Sequence, residues 1–271
     1  MNIVVCIKQV PDVPAIRIDR ERMTVARDGV ESIINPLDMI ALEAALSLRS
    51  EVGGTVSVVT MGPPQSEEAL REALAAGADS ALLLTDKEFA GGDTLATSTA
   101  LGAAIARMKP SADLVLCGMH TIDSDTGHVG PQIAEQLGIP QVCGVNEICI
   151  GDDCLFVERS GDGFLDTIKL RLPALITVAQ GASPVVDITL GALEKAFSTG
   201  AVETAGRREL GLEADEVGLK GSATMVSSLR TPPPKKNSGK PHCGTPEVLC
   251  DILIRTLETL NIIDEADDKE Q

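Results

Sequence analysis

Four times within the first 140 residues, a short run of β-branched and apolar residues is followed by a segment with apolar residues at helical spacing, and this alternation leaves few folds open. An apolar run without polar alternation suits a strand covered on both faces, which a parallel sheet between helical layers provides. Asn2 to Ile7 (NIVVCI) is the first such run and reads as a central strand. After an irregular stretch with Pro11 and Pro14, INPLDMIALEAALSLRS opens on an Asn-Pro turn and carries Ile40, Ala44 and Leu48 at helical spacing. Thr55 to Met61 reads as a second buried strand, and Ser66-Glu67-Glu68 opens a helix that runs through Ala76 and stops at Gly77. Ser80 to Leu84 and Ala112 to Cys117 follow as strands, Asp93 to Met108 and Val129 to Leu137 as helices. The expected fold class is α/β, a doubly wound and mostly parallel sheet with right-handed crossovers.

From Val142 the rhythm changes. Segments around Glu147 to Ile150, Cys154 to Glu158, Asp166 to Leu172 and Leu175 to Val178 read as short strands joined by Gly-Asp turns, an antiparallel extension of the sheet. Beyond about Ser183 the dense core pattern is lost, and Thr231 to Gly239 (TPPPKKNSG) is a linker by composition. Thr245 and Pro246 then place a capping residue and an N1 proline before an amphipathic helix with Leu249, Leu253, Leu257 and Leu260 along one stripe. The expected organisation is an α/β domain over 1–182, an arm over 183–244, a docking helix over 245–263 and an acidic tail over 264–271.

A formal charge of −17 argues against general nucleic-acid binding, since no basic stripe is present to neutralise phosphates. With four Phe and no Tyr or Trp, contacts to a nucleotide must come mainly from backbone and small side chains. The seven cysteines form no CxxC pair and no zinc spacing, so they read as free thiols of a reducing compartment. The N-terminus runs directly into a strand pattern, which predicts a cytoplasmic protein, and no apolar run approaches the roughly 20 residues of a membrane span.

The segment most informative for function is CGMHTIDSDTGHVGPQIAEQLGIP, Cys117 to Pro140, between a buried strand and a helix. Ligands of open α/β sheets bind beyond the carboxyl ends of the strands, where this segment begins. Asp123 and Asp125 suit ribose hydroxyls or the bracing of a loop. Thr126, Gly127, Val129 and Gly130 offer backbone N–H groups at a helix start, which suits a phosphate, although the same residues would also serve a loop that merely caps its helix. Asn35-Pro36-Leu37-Asp38 is a second candidate, with an ordinary Asn-Pro helix start as the simpler reading, and Met61-Gly62-Pro63 is a weaker third. His120, Asp123, Asp125 and His128 could be drawn as a metal site, but phosphate-binding and capping loops collect the same polar residues, and no metal is expected. GxSxG, P-loop and GxGxxG patterns are absent, so hydrolase, NTPase and simple dehydrogenase readings lack their parts, and no catalytic residue is expected.

In order and spacing, MNIVVCIKQVPD, DGVESIINPLDMIALEAAL, VVTMGPPQSEEALREALAAGAD, LLLTDKEFAGGDTLATSTALGAAI and LVLCGMHTIDSDTGHVGPQIAEQLGIPQV resemble the electron transfer flavoprotein β-subunit family over roughly residues 1–180. The resemblance implies a Rossmann-like domain that pairs with an electron transfer flavoprotein α subunit and passes electrons between flavin and an acyl-CoA dehydrogenase or related partner. It places Cys6, Asn35, Pro36, Leu37, Asp38, Met61, Gly118 and the loop Asp123, Asp125, Thr126, Gly127, His128, Val129, Gly130, Pro131 and Gln132 around a nucleotide. Asp125 to Pro131 looks like the bifurcating form of the family, which implies FAD with NADH as a possible donor. The other form implies AMP and carries a Cys-Asn-Gln-Thr-like run instead.

The chain departs from the family pattern at Met119-His120 and at His128. It departs further at Gly181 to Leu190, where relatives carry a Pro-Arg-Tyr-Pro-Ser-Leu stretch leading into the partner-recognition loop, and Leu190 is the nearest counterpart of the anchoring leucine. A universal-stress-type adenine nucleotide-binding protein would share the α/β core, but its glycine-rich ATP loop is missing here.

Overall fold

The first apolar run forms a strand whose two sides meet different helices, and the rest of the fold follows from that. The computed structural model describes residues 1–12, 17–19, 24–26, 32–152, 154–183, 187–199, 201–228, 241–260 and 262–263. In chain order the elements are β1 (Asn2–Cys6), β2 (Gln9–Pro11), β3 (Arg17–Asp19), β4 (Thr24–Ala26), β5 (Ser32–Ile34), α1 (Pro36–Val52), β6 (Thr55–Met61), α2 (Glu67–Ala76) and β7 (Ser80–Leu84). There follow α3 (Thr94–Arg107), β8 (Leu114–Gly118), α4 (Val129–Leu137), β9 (Gln141–Ile150), β10 (Cys154–Gly161), β11 (Phe164–Arg171) and β12 (Ala174–Val178). The last are α5 (Leu190–Thr199), β13 (Glu203–Ala205), α6 (Gly218–Gly221) and α7 (Pro246–Thr259).

Among the described residues, nine strands form one sheet in the order β11-β10-β9-β12-β8-β1-β6-β7-β13. Its centre is parallel, and β9-β10-β11 form the antiparallel end. The mostly parallel, Rossmann-like sheet expected from the sequence is therefore present. One strand differs. Leu175 to Val178, expected in the antiparallel extension, lies in β12 and runs parallel to both β8 and the first half of β9. A short buried run such as ALITV satisfies either direction, so the chain path and not the composition decides.

Alternation along each central strand builds two cores. Ile3 and Val5 of β1 and Leu114 and Leu116 of β8 face α1 and α2, while Val4, Cys6, Val115 and Cys117 face α3 and α4. Asp93 caps α3 by accepting from Leu95 and Ala96 N–H, and Gly77 ends α2 at φ 123°, a conformation that favours glycine.

The residues from Met1 to Leu229 form one compact unit. Beyond Ser183 the core pattern is sparse because few side chains are buried, among them Ala196, Leu210 and Val217. Polar bonds do much of the anchoring. Arg71 of α2 donates to the carbonyls of Ala196 (2.8 Å) and Phe197 (3.3 Å) in α5, pairs with Glu67 and lies over the Phe197 ring. Arg71→Ala is expected to cost about 1–2 kcal/mol and to speed proteolysis around α5, as measured by denaturant unfolding and limited digestion.

The second unit runs from Arg230 to Gln271. In α7, Pro246 takes the first helical position as expected, although the Thr245 side chain makes no capping bond, and Leu249, Leu253 and Leu260 are exposed. The proposed linker over Thr231 to Gly239 and the acidic tail over 264–271 lie outside the described residues. Among the described residues, no helix is long and apolar enough to cross a membrane.

Candidate functional site: a crevice at the switch point of the sheet

From the end of β1 the chain leads, through β2 to β5, to α1 on one face; from the end of β8 it leads to α4 on the other. Between two parallel neighbours whose connections diverge in this way, the carboxyl edge opens into a crevice. Its floor is a polar brace. Asn35 and Asp38, both buried, sit at the start of α1, but neither serves mainly as a local helix cap. Asp38 Oδ2 accepts from Lys8 N–H (2.8 Å) and Oδ1 from Gly118 N–H (3.0 Å), so one carboxylate ties together the two strand ends that flank the crevice. Asn35 Nδ2 donates to the His120 carbonyl (3.0 Å), and its Oδ1 accepts from Ile122 N–H (3.1 Å).

Lys8 completes the brace by donating to both carboxylate oxygens of Asp123, at 2.7 and 2.9 Å. Burial acts to raise the Asp123 carboxyl, but Lys8 and the hydroxyls of Thr121 and Ser124 outweigh it and hold the group below the ordinary carboxylate range. Burial wins at Asp38, pushing its carboxyl up to about 7 against the bonds from Asn35, Lys8 and Gly118. Gly118 has no room for a side chain, because a Cβ there would collide with Asp38 Oδ1 and Leu37.

Above the brace, the loop turns through Asp125 (φ 51°) and Gly127 (φ 63°) into α4. The His128 side chain at the N-cap makes no capping bond, and the first-turn N–H groups of Val129 and Gly130 have no partner within the helix and add their dipoles to the positive end. Gly130 brings the helix start down onto the sheet, where a Cβ would lie 2.7 Å from Thr177 Cγ2. Gln132 Oε1 is buried without a hydrogen-bond partner among the described residues, an acceptor in want of a donor. His120 Nδ1 lies 2.9 Å from Asp125 Oδ1, off the direction of a hydrogen bond. Among the described residues, no three of His, Cys, Asp or Glu gather in a metal-holding group.

These features suit a phosphate-bearing ligand: backbone donors at a helix start, a glycine-held cradle, and an acceptor for a hydroxyl or amino group. The crevice thus brings together Asn35, Asp38, Gly118, Asp123 and the start of α4. Pro36, Asp125, Thr126 and His128 are exposed, and Leu37 is buried in the core on the α1 face. Cys6 ends β1 with its side chain buried opposite Cys117; that neighbouring thiol and burial hold the Cys117 thiol well above its ordinary range. Met61 ends β6 half-buried beside the α3 side of the core. Leu190 lies elsewhere, 82% exposed at the start of α5, where nearby Thr189 and Ala192 line a pocket with Leu46 and Arg49 from the second half of α1. Sequence reasoning missed Lys8 and Thr177. A lysine directly beyond the carboxyl end of a buried strand was the available signal for the first, whereas Thr177 inside an apolar run gave none.

An electron transfer flavoprotein domain profile matches residues 22–208, which span both α1 and the α4 loop. Electron transfer flavoprotein subunit beta of Thermoanaerobacterium thermosaccharolyticum is 43% identical over 263 residues, covering 97% of this chain and 100% of that one. The chain belongs to the electron transfer flavoprotein β-subunit family. Protein FixA of Sinorhizobium fredii is 45% identical over 245 residues, covering 87% of this chain and 85% of its own. The caffeyl-CoA reductase-Etf complex subunit CarD of Acetobacterium woodii is 43% identical over 246 residues, with 90% and 93% covered. In this electron transfer flavoprotein β chain the crevice joins the carboxyl-edge switch point to the start of α4.

Proposed function

We propose that the chain is the β subunit of a heterodimer with an electron transfer flavoprotein α subunit, and that its crevice holds FAD. The heterodimer would pass electrons from a donor, NADH in a bifurcating scheme, to an acyl-CoA dehydrogenase-type acceptor. The observation that carries this reading is the uncapped start of α4, held on the sheet by Gly130 beside the unpaired Gln132 Oε1. The flavin, when bound, supplies the redox chemistry.

The chain's own residues bind and orient. Backbone N–H groups from Thr126 to Gly130 would hold the phosphates. Gln132 Oε1 would accept from a hydroxyl or amino group, and the Asp38–Asn35–Lys8–Asp123 brace would fix the loop before ligand arrives, so that little ordering is left for binding. The exposed Leu190 on α5 is offered as the dehydrogenase contact, and the apolar stripe of α7 as a contact to the α subunit.

Co-expression with the α subunit, followed by counting the nucleotides released per heterodimer, tests the reading. About two FAD and no AMP are expected for the bifurcating form. One FAD with one AMP would assign AMP to the crevice, and a chain that binds neither FAD nor AMP would remove the nucleotide site altogether.

A further inference from the structure

Among the described residues, two buried side-chain polar atoms lack a hydrogen-bond partner, and both follow β8 closely: Gln132 Oε1 and His120 Nδ1. The imidazole nitrogen lies 2.9 Å from Asp125 Oδ1. At that separation a bare ring nitrogen and a carboxylate oxygen are two acceptors held together, and the contact becomes favourable when a proton stands between them. A charged imidazolium makes the stronger bond, about twice that of a neutral donor.

The two partners are anchored unequally. The His120 carbonyl accepts from Asn35 Nδ2 (3.0 Å), Ile122 N–H donates to Asn35 Oδ1 (3.1 Å), and Asn35 is itself buried. Met119 N–H donates to the Val178 carbonyl of β12 at 2.9 Å. The backbone that carries the imidazole is therefore tied to α1 on one side and to the sheet on the other. Asp125 has a side chain 80% exposed and a φ of 51°, a conformation that residues with a Cβ seldom hold. Its N–H donates to the Thr121 carbonyl (2.9 Å), and Gly127 (φ 63°) continues the turn into α4. A pull on the Asp125 carboxylate thus acts on the turn that leads to the Val129 and Gly130 N–H groups.

We infer that His120 is a positioning residue of this loop: with its imidazole charged it grips the Asp125 carboxylate and holds the turn closed, and with its imidazole neutral it releases that grip. The link to ligand binding rests on the reading of the crevice as a nucleotide site. The closed turn binds the proton more tightly than the open one, so the grip is full on the acid side of the range in which histidines titrate and is lost as pH rises through it. The other ionisable groups on the elements around the loop are Lys8 beyond β1, paired with Asp123, then Asp38 in α1, Cys143 in β9 and the exposed His128 at the start of α4.

His120→Asn provides the test, because its amide stands where Nδ1 stands and carries no charge at any pH. In the full chain, purified with its α subunit and stripped of nucleotide, hydrogen–deuterium exchange is followed over Thr121 to Gly127. At pH 6 exchange should run about threefold faster in His120→Asn than in the wild type, and at pH 8 within about 1.5-fold. Taking the ratio at equal pH cancels the direct effect of pH on exchange and the titration of Asp38, which both proteins share. Asp125→Asn breaks the same pair from the other side and keeps a residue that tolerates the left-handed turn, so it should match, and the double variant should add nothing. FAD affinity, as the ratio of wild type to His120→Asn, should follow the same course, about threefold at pH 6 and near one at pH 8.

An exchange ratio equal at both pH values, or a pH dependence that persists when Asp125→Asn is compared with the double variant, would overturn the role of His120. An affinity ratio near one at pH 6, with the exchange ratio moved, would overturn its link to the ligand. If FAD and AMP both fail to bind the wild type at either pH, the crevice reading falls, and the exchange ratio still decides whether His120 holds the loop.

Discussion

Asp38→Ala is expected to destabilise the chain by roughly 2–4 kcal/mol and to abolish measurable nucleotide binding in the crevice. The carboxylate satisfies two backbone donors, Lys8 N–H just beyond β1 and Gly118 N–H at the end of β8. Removing it leaves both without their acceptor, each at a cost of about 1–3 kcal/mol, and frees the strand ends that set the width of the crevice. Asp38→Asn keeps one acceptor and is expected to lose about half as much. The two variants also separate geometry from charge. Burial raises the Asp38 carboxyl to about 7, above its ordinary 3.8, so the folded chain holds this proton more tightly than the unfolded chain does. Its contribution to stability is therefore full below about pH 4 and lost as pH rises through about 7. Denaturant unfolding between pH 4 and 8 should show a downward slope for the wild type across that window, flattened in Asp38→Asn. An unchanged slope in Asp38→Asn would assign the titration to another group.

The elements legible in the sequence were those with a local cause. Thr55 to Met61, Ser80 to Leu84 and Val129 to Leu137 were delimited correctly, because each is a continuous apolar run or a helical stripe with glycine or proline beside it. What escaped was fixed by contacts distant in sequence. The direction of β12 is set by the path that returns from the β10–β11 hairpin to the centre of the sheet, and nothing in ALITV records that path. The strands β2 and β5 pair across a long stretch with little pattern, and α5 depends on Arg71, more than a hundred residues earlier.

The site divides in the same way. The loop from Asp123 to Gln132 was visible because small and polar residues interrupt a strand-to-helix transition. The Asn-Pro start of α1 is also visible, but read locally it is an ordinary helix start, and only the family resemblance places Asn35 to Asp38 around a nucleotide. In the fold, Asn35 and Asp38 reach residues 80 to 87 positions away, a bond pattern that no window of sequence can display. Their buried oxygens and amide hold the protein to itself, which places them under the site rather than at its surface.

Gly130→Ala should have the second large effect, and it tests whether the α4 start is where the ligand sits. The backbone at Gly130 tolerates a side chain, but the new methyl would stand 2.7 Å from Thr177 Cγ2 and 3.5 Å from Leu175 Cδ2. Thr177 and Leu175 are buried in the sheet, so the helix start must lift. Overpacking of this kind costs about 1–3 kcal/mol. Lifting the first turn also moves the Val129 and Gly130 N–H groups away from the phosphates, and nucleotide affinity in the heterodimer is expected to fall about tenfold or more by equilibrium titration.

Thr177→Ser supplies the control, because it removes Cγ2 and keeps the hydroxyl that accepts from Gly144 N–H. In the double variant Gly130→Ala/Thr177→Ser the helix can settle again, and both stability and affinity should recover most of the loss, giving a coupling energy of about 1–2 kcal/mol. Stability that returns without affinity would show that the phosphates are held elsewhere. Affinity and stability that return together would tie the ligand to the helix start, because the only feature the two substitutions share is the distance between α4 and β12.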